Sequence, residues 1–200
     1  MIRLAKLTFF VGVALSSFVR ADDFSTHSEF SYNNTKGNTN TSALVFDGNA
    51  RQSWDIDDVR LHVDARRSTS NGDVLTDKWS SEFDYDHKLD HKWSFNYLAG
   101  YRSDRFSGYH YQYYTGPGLG YDVIKNQEDT LNFQGNILYS VDKPDNNIEN
   151  SYASTKLGVL YTHQIYENLK FVEYANYRLN LQSTNHWFVY SKTGLESKIN

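Results

Sequence analysis

Hydrophobic and polar residues change places at every second position along most of this chain. The clearest run is Arg102 to Tyr121, reading RSDRFSGYHYQYYTGPGLGY. From Tyr109 onward, Tyr111, Tyr113, Thr115, Pro117, Leu119 and Tyr121 share one parity, and His110, Gln112, Tyr114, Gly116, Gly118 and Gly120 share the other. A period of two belongs to a strand whose two faces meet different surroundings. One face here is aromatic and aliphatic, with Tyr at both ends. The other is polar and then narrow. A transmembrane barrel strand has that layout, aromatic at both interfaces, apolar between them, and polar or small inside. Pro117 removes a ladder donor, and its place between two glycines predicts a bulge or bend there.

Segment after segment repeats the pattern. Phe24, Phe30 and Tyr32 alternate with His27 and Glu29, and the string NNTKGNTN then supplies turn chemistry. Leu44, Phe46, Gly48 and Ala50 lead towards Trp54. Val59, Leu61, Val63 and Ala65 alternate with Asp58, Arg60, His62, Asp64 and Arg66. After Asn71-Gly72 come Trp79, Phe83 and Tyr85 against Lys78, Glu82, Asp84 and Asp86, then Trp93, Phe95, Tyr97, Ala99 and Tyr101 against Asn96, Gly100 and Arg102. Beyond the Arg102–Tyr121 run, Leu131 to Val141, Ala153 to Thr162, Leu169 to Leu181 and Trp187 to Lys198 continue it. Leu169–Leu181 is the least regular, with Glu173 on the apolar parity and Val172 on the polar one. Turns near Trp54, Lys88, Lys125 and Tyr166 recur about every 35–40 residues, the length of one hairpin rather than of a solenoid repeat. The expectation is an all-β fold, an antiparallel transmembrane β-barrel of about ten strands, each near the 9–11 residues a bilayer requires.

Alternation alone does not say which face points inward, because a secreted soluble barrel that binds a small apolar ligand alternates too. Three features favour the inverted arrangement. The polar parity is dense in opposite charges. Aromatics stand at both ends of the apolar parity, and the apolar middles are thin (Ala99, Thr115, Thr155). A hairpin centred near Asp73 would set Arg60 opposite Asp86 and His62 opposite Asp84. Arg60, His62, Asp64, Arg66, Glu82, Asp84, Asp86, Arg102, Lys156 and Arg178 are therefore the candidate lumen-facing charges, and a small barrel holding them would be closed or at best narrow.

Composition sharpens the picture at three points. Mean hydropathy is −0.67, but a barrel spreads its apolar face over alternate positions and escapes that average. The 16 Tyr, 12 Phe and 4 Trp suit interfacial girdles, where a ring needs one apolar side and one wet end. Arg3 and Lys6 precede a short apolar run from Leu7 to Val19, and Val19-Arg20-Ala21 offers small residues at the usual cleavage positions. That reads as a signal peptide over residues 1–21, leaving the barrel domain over 22–200. Its removal takes away basic residues and no acidic ones, so the mature chain is more acidic than the net −4 of the whole, which argues against nucleic acid as a partner. There is no cysteine, hence no disulfide, thiolate metal site or catalytic thiol.

Candidate chemistry is sparse. His87 and His91 stand four apart but flank a turn instead of sharing a helix face, so they do not form a zinc pair. Asp104, Ser107 and His110 around one loop are the nearest thing to a hydrolytic trio at a barrel rim, the basis of an alternative reading as an outer-membrane enzyme. Gly116, Gly118 and Gly120 lie within a strand and form no phosphate loop. No catalytic residue, metal or cofactor is assigned, and the chain is read as a non-enzyme, a structural component or a narrow solute pore.

DRFSGYHYQYYTGPGLGY, preceded by GNTNTSALVFD and NYLAGYRSDRF, resembles a family described as salt-induced outer-membrane proteins, which rests on a domain of unknown function. The resemblance runs from about Phe30 to the C-terminus. It implies a Gram-negative outer-membrane barrel with expression linked to salt or osmotic stress, and no catalytic residues. The implied partners are outer-membrane lipid and, during insertion, the barrel-assembly machinery, with the protein acting as a monomer. Members of the family continue for another hairpin, whereas this chain stops at Ser197-Lys198-Ile199-Asn200. The expectation is a truncated sequence whose complete form would have twelve strands.

Overall fold

A computed structural model describes residues 24–145, 148–183 and 187–197. The expected signal peptide, over residues 1–21, lies outside them, as do the last three residues. Ten strands follow one another: β1 (Phe24–Thr35), β2 (Thr41–Ser53), β3 (Asp57–Ser70), β4 (Asp73–Lys88), β5 (Trp93–Asp104), β6 (Tyr109–Lys125), β7 (Asp129–Pro144), β8 (Asn150–Tyr166), β9 (Leu169–Asn180) and β10 (Trp187–Ser197). They form one antiparallel sheet in sequence order, β1 to β10. Among the described residues no ladder joins β1 to β10, so the wall is open along that seam. The sheet curls far enough for Lys156 of β8 to reach Glu82 of β4 at 3.3 Å across the interior.

The curl puts the polar parity inside. Asn96 and Asn136 retain only 3 % and 5 % of their accessible surface, while Ile137 and Leu157 on the apolar parity expose 68 % and 52 %. Leu119, Phe133 and Tyr139 are exposed in the same way. A soluble barrel that buries its apolar parity would have the opposite distribution. Aromatics collect at both ends of the outer face. Near the longer loops, Trp79 stacks on Tyr101 at 4.6 Å, and Tyr111 continues the row at 6.0 Å from Tyr101. Near the turns, Trp93 meets Tyr121 at 4.7 Å and Tyr161 meets Phe171 at 6.3 Å.

The β3–β4 register differs from the expected one. Arg60 stands opposite Asp84 and His62 opposite Glu82, each two residues from the expected partner. The hairpin turns on Asn71-Gly72, whose positive φ angles of 51° and 92° suit a two-residue connection. A one-residue shift between Ser68 and Thr69 then resets the ladder below it. Pro117 produces no register shift either. Thr115 pairs with Tyr139 and Gly118 with Asn136, and between them Gly116 and Pro117 have no partner on β7. The missing donor interrupts the ladder without adding a residue. The register shifts of this hairpin fall instead at Tyr109/Tyr111 and Asp122/Ile124, near the two ends of β6.

The irregularity of β9 also has a partner. The outward Glu173 stands opposite Thr193 of β10 and accepts the Thr193 hydroxyl, so this carboxylate on the apolar parity is not left bare.

Candidate functional site: the charged interior

Neighbouring inward positions supply the first cluster. Arg60 of β3 donates to Asp84 at 2.9 Å and to Asp86, and its Nε lies 3.3 Å from Asp58 Oδ1. Asp58 Oδ2 in turn accepts Arg51 Nε and Ser53 Oγ, each at 2.6 Å. Three carboxylates thus share two guanidinium groups along β2, β3 and β4, the arrangement a charge needs when it is half withdrawn from water.

His62 and Arg66 do not join that cluster. His62 Nδ1 lies 2.8 Å from Asn49 Oδ1, and its Nε2 is 3.9 Å from Asp47. Arg66 stands opposite Lys78 and bonds Asp64 on its own strand at 3.1 Å. Arg102 likewise bonds Asp104 two residues on, at 3.3 Å. Both arginines are half exposed. Of the basic residues of β3, only Arg60 therefore meets the acids of β4.

Glu82 points the other way, into a second network that crosses the interior. It accepts the Tyr114 hydroxyl and lies 3.3 Å from Lys156 Nζ. The Arg178 guanidinium sits 4.7 Å from the centre of the Tyr114 ring and donates to the Tyr152 hydroxyl at 3.4 Å. Tyr152 donates to Asp142 at 2.8 Å, and Gln112 donates to the other Asp142 oxygen at 3.0 Å. Beside it Asn136 donates to Asn96, Ser140 and Ser154 share a hydrogen bond of 2.7 Å, and Leu98 and Leu138 are fully buried.

Glycines make this filling possible. A Cβ on Gly100 would strike the Tyr114 ring, and one on Gly118 would strike the Asn96–Asn136 pair. Gly100 and Gly118 are therefore the seats of two specific large groups. A cavity of about 570 Å³ remains beside the network, bordered by Arg60, His62, Glu82, Asp84, Lys156 and Tyr174 among others.

The sequence pattern missed the bridging residues Tyr114, Tyr152, Asn96, Asn136 and Asp142. One signal was present: Tyr114 is a large ring on a parity otherwise running to glycine, and Gly100 is its pairing partner. The loop trio is not assembled. The Ser107 hydroxyl donates to the Asp104 backbone carbonyl at 2.8 Å, Asp104 Oδ1 caps the Phe106 amide, and His110 turns to Asp145 at 3.6 Å. His87 likewise faces Asp57, not His91.

The family described as "Protein of unknown function, DUF481" matches residues 28–200. The chain belongs to that family. No curated protein matches it. The DUF481 match covers the span over which the sequence resemblance ran, and it takes in all ten candidate lumen charges and both interior networks.

Proposed function

We propose that this DUF481 protein is an outer-membrane β-barrel whose interior is narrowed by its own side chains to a residual cavity, so that it serves as a structural envelope component rather than an open channel. The observation that carries the reading is the inverted distribution of surface: apolar residues such as Ile137 and Leu157 outside, Asn96 and Asn136 inside. Exposed apolar strands of this length are stable in lipid and aggregate in water. The two aromatic rows supply the interfacial belts. The Glu82–Tyr114–Lys156–Arg178 network supports the closed interior.

The basic n-region and short apolar run before Ala21 support export by a cleaved signal peptide. Insertion by the barrel-assembly machinery, a monomeric state and the salt-stress link belong to the same proposal and rest on the family resemblance. Protein levels followed through a step in external salt test the last of these.

The deciding experiment reconstitutes the chain into phospholipid vesicles and planar bilayers. The expected result is flotation with the vesicles, a heat-modifiable band, and little current. Failure to float overturns the membrane reading. Flotation with large, weakly selective currents overturns the filled interior alone.

A further inference from the structure

Two places on the outer face repeat one another and take no part in the interior networks. At the start of β3, Asp57 Oδ1 accepts the Tyr85 hydroxyl at 2.6 Å and His87 Nδ1 at 2.8 Å. At the start of β7, Asp129 Oδ1 accepts the Tyr161 hydroxyl at 2.9 Å and His163 Nδ1 at 2.9 Å. The registers agree as well. Asp57 stands opposite His87, which stands opposite Phe95, and Asp129 stands opposite His163, which stands opposite Phe171. All of these residues lie on the apolar, outward parity, at the turn end of the wall. Four strand spacings separate the two clusters, roughly 19 Å at about 4.8 Å per strand.

Tying strand ends together does not require a carboxylate on a face that otherwise meets lipid. The chemistry left over is specific. Each carboxylate is an acceptor only, so the facing His must donate from Nδ1, and in the neutral ring Nε2 is then also an acceptor. Asp57 Oδ2 and Asp129 Oδ2 have no hydrogen-bond partner among the described residues and are not buried. Each cluster therefore offers one negative charge, at least two open acceptors and a Tyr ring, with no donor of its own left over. A primary ammonium, with three donors and a positive charge, is the complement. A trimethylammonium has the charge but no N–H to give. At the second cluster Glu173 stands opposite Tyr161, where Tyr97 stands opposite Tyr85 at the first, so the second is the more acidic.

We propose that the Asp57–Tyr85–His87 and Asp129–Tyr161–His163 clusters are a pair of lipid-headgroup sites that take the primary ammonium of phosphatidylethanolamine at the turn-side rim. The inference rests on the membrane reading above. The second site, with Glu173 beside it, holds its lipid more tightly.

The test inserts the full chain into vesicles of phosphatidylethanolamine mixed with phosphatidylcholine, confirms flotation, and extracts the protein with mild detergent. Retained lipid is then counted by native mass spectrometry. Phosphatidylethanolamine is expected to be enriched about five-fold or more over phosphatidylcholine, as a charge-assisted hydrogen bond implies, with up to two molecules retained. Replacing it by its mono- and dimethyl derivatives should reduce retention stepwise as N–H donors are lost, a series that needs no variant. Asp57→Asn and Asp129→Asn keep the side-chain shape, and each should remove one bound lipid, the Asp129→Asn loss being the larger in affinity.

A flat methylation series in a protein that floats overturns the sites and leaves the membrane reading standing. Enrichment that survives in the Asp57→Asn/Asp129→Asn double variant places the lipid elsewhere and overturns them equally. A protein that does not float loses both readings together.

Discussion

Lys156 on β8 and Glu82 on β4 meet at 3.3 Å across the interior, with the Lys156 side chain only 14 % exposed. Three strands lie between them in sheet order, so the pair measures how far the wall has curled. Glu82→Gln should destabilise the folded protein by about 1–2 kcal/mol, because the lysine loses its charge partner while Glu82 itself stays partly solvated. Lys156→Met alone should cost less, and the double variant less than the sum of the two. Denaturant unfolding of the four proteins in lipid gives the coupling energy. Strict additivity would show that the two side chains do not interact in the membrane.

The same carboxylate is expected to set the selectivity of any residual current. Neutralising Glu82 and Asp84 together removes the negative charges that face Tyr114, Lys156 and part of the Arg60 cluster. Any current should then rise and turn anion-selective, since fixed charges in a lumen set its preference. Reversal potentials in a salt gradient report the sign. An unchanged, cation-preferring current would mean that ions do not pass these residues.

Outer and inner faces should respond to arginine in opposite degree. Leu157→Arg or Ile137→Arg on the exposed apolar parity should cost about 2–4 kcal/mol in lipid. Gln134→Arg, which borders the interior cavity, should cost less. Unfolding titrations of vesicle-embedded protein give the order, and the reverse order would place the apolar parity in a soluble core.

Gly100→Ala tests the seat of Tyr114. The added methyl meets the ring and the hydroxyl that Glu82 accepts, so the cost should be about 1–3 kcal/mol, as for overpacking of a filled interior. Gly37→Ala, where a methyl meets nothing, should be nearly silent. Equal effects at the two positions would mean that Tyr114 moves aside freely.

Acid should loosen one turn before the wall. The Asp90 carboxylate accepts the amides of Lys92 and Trp93 at 2.7 and 2.8 Å, and these bonds hold its pKa below the usual carboxylate range. A group depressed on folding contributes stability above its unfolded value, and that contribution disappears as pH falls through the folded one. Exchange protection of the Lys92 and Trp93 amides, corrected for the intrinsic rate at each pH, should therefore be high at neutral pH and fall in acid relative to the middle of β5. In Asp90→Asn this extra acid dependence should be absent.

Most of the wall was legible because a strand records its two environments in a period of two. All ten strands fall where Phe24 to Lys198 alternate, and Trp93 and Trp187 mark ends that the structure keeps as ends, whereas β6 runs past Tyr121 to Lys125. Register was less legible, since it depends on where a turn closes and where one residue is added. The turn closes at Asn71-Gly72 instead of at Asp73, and with the one-residue shift at Ser68/Thr69 this sets Arg60 opposite Asp84 and not Asp86; no alternation pattern reveals a bulge in a run such as Arg67-Ser68-Thr69-Ser70. Charges that find partners on the next strand, as Arg60 does, follow from local spacing. Lys156 to Glu82 and Arg178 over Tyr114 follow from curvature, which one strand does not encode. The paired Asp–Tyr–His clusters were hidden for another reason: Asp57 and Asp129 begin strands next to turns, and only pairing sets a tyrosine and a histidine beside each.

The interior filling is unevenly shared around the wall. Leu98, Leu138, Asn96, Asn136, Ser140 and Ser154 lock β5 to β8 together, whereas nearly every residue of β1 is exposed. The wall is accordingly stiff on one side and compliant on the other. On the proposed membrane reading, a strain applied by bilayer thinning or lateral pressure should be absorbed by flexing at β1 and β2 while the β5–β8 arc moves as a rigid plate. Because Glu82 stands on β4 beside that arc and Lys156 within it, the cross-lumen pair travels with the plate and survives deformations that change the bore elsewhere.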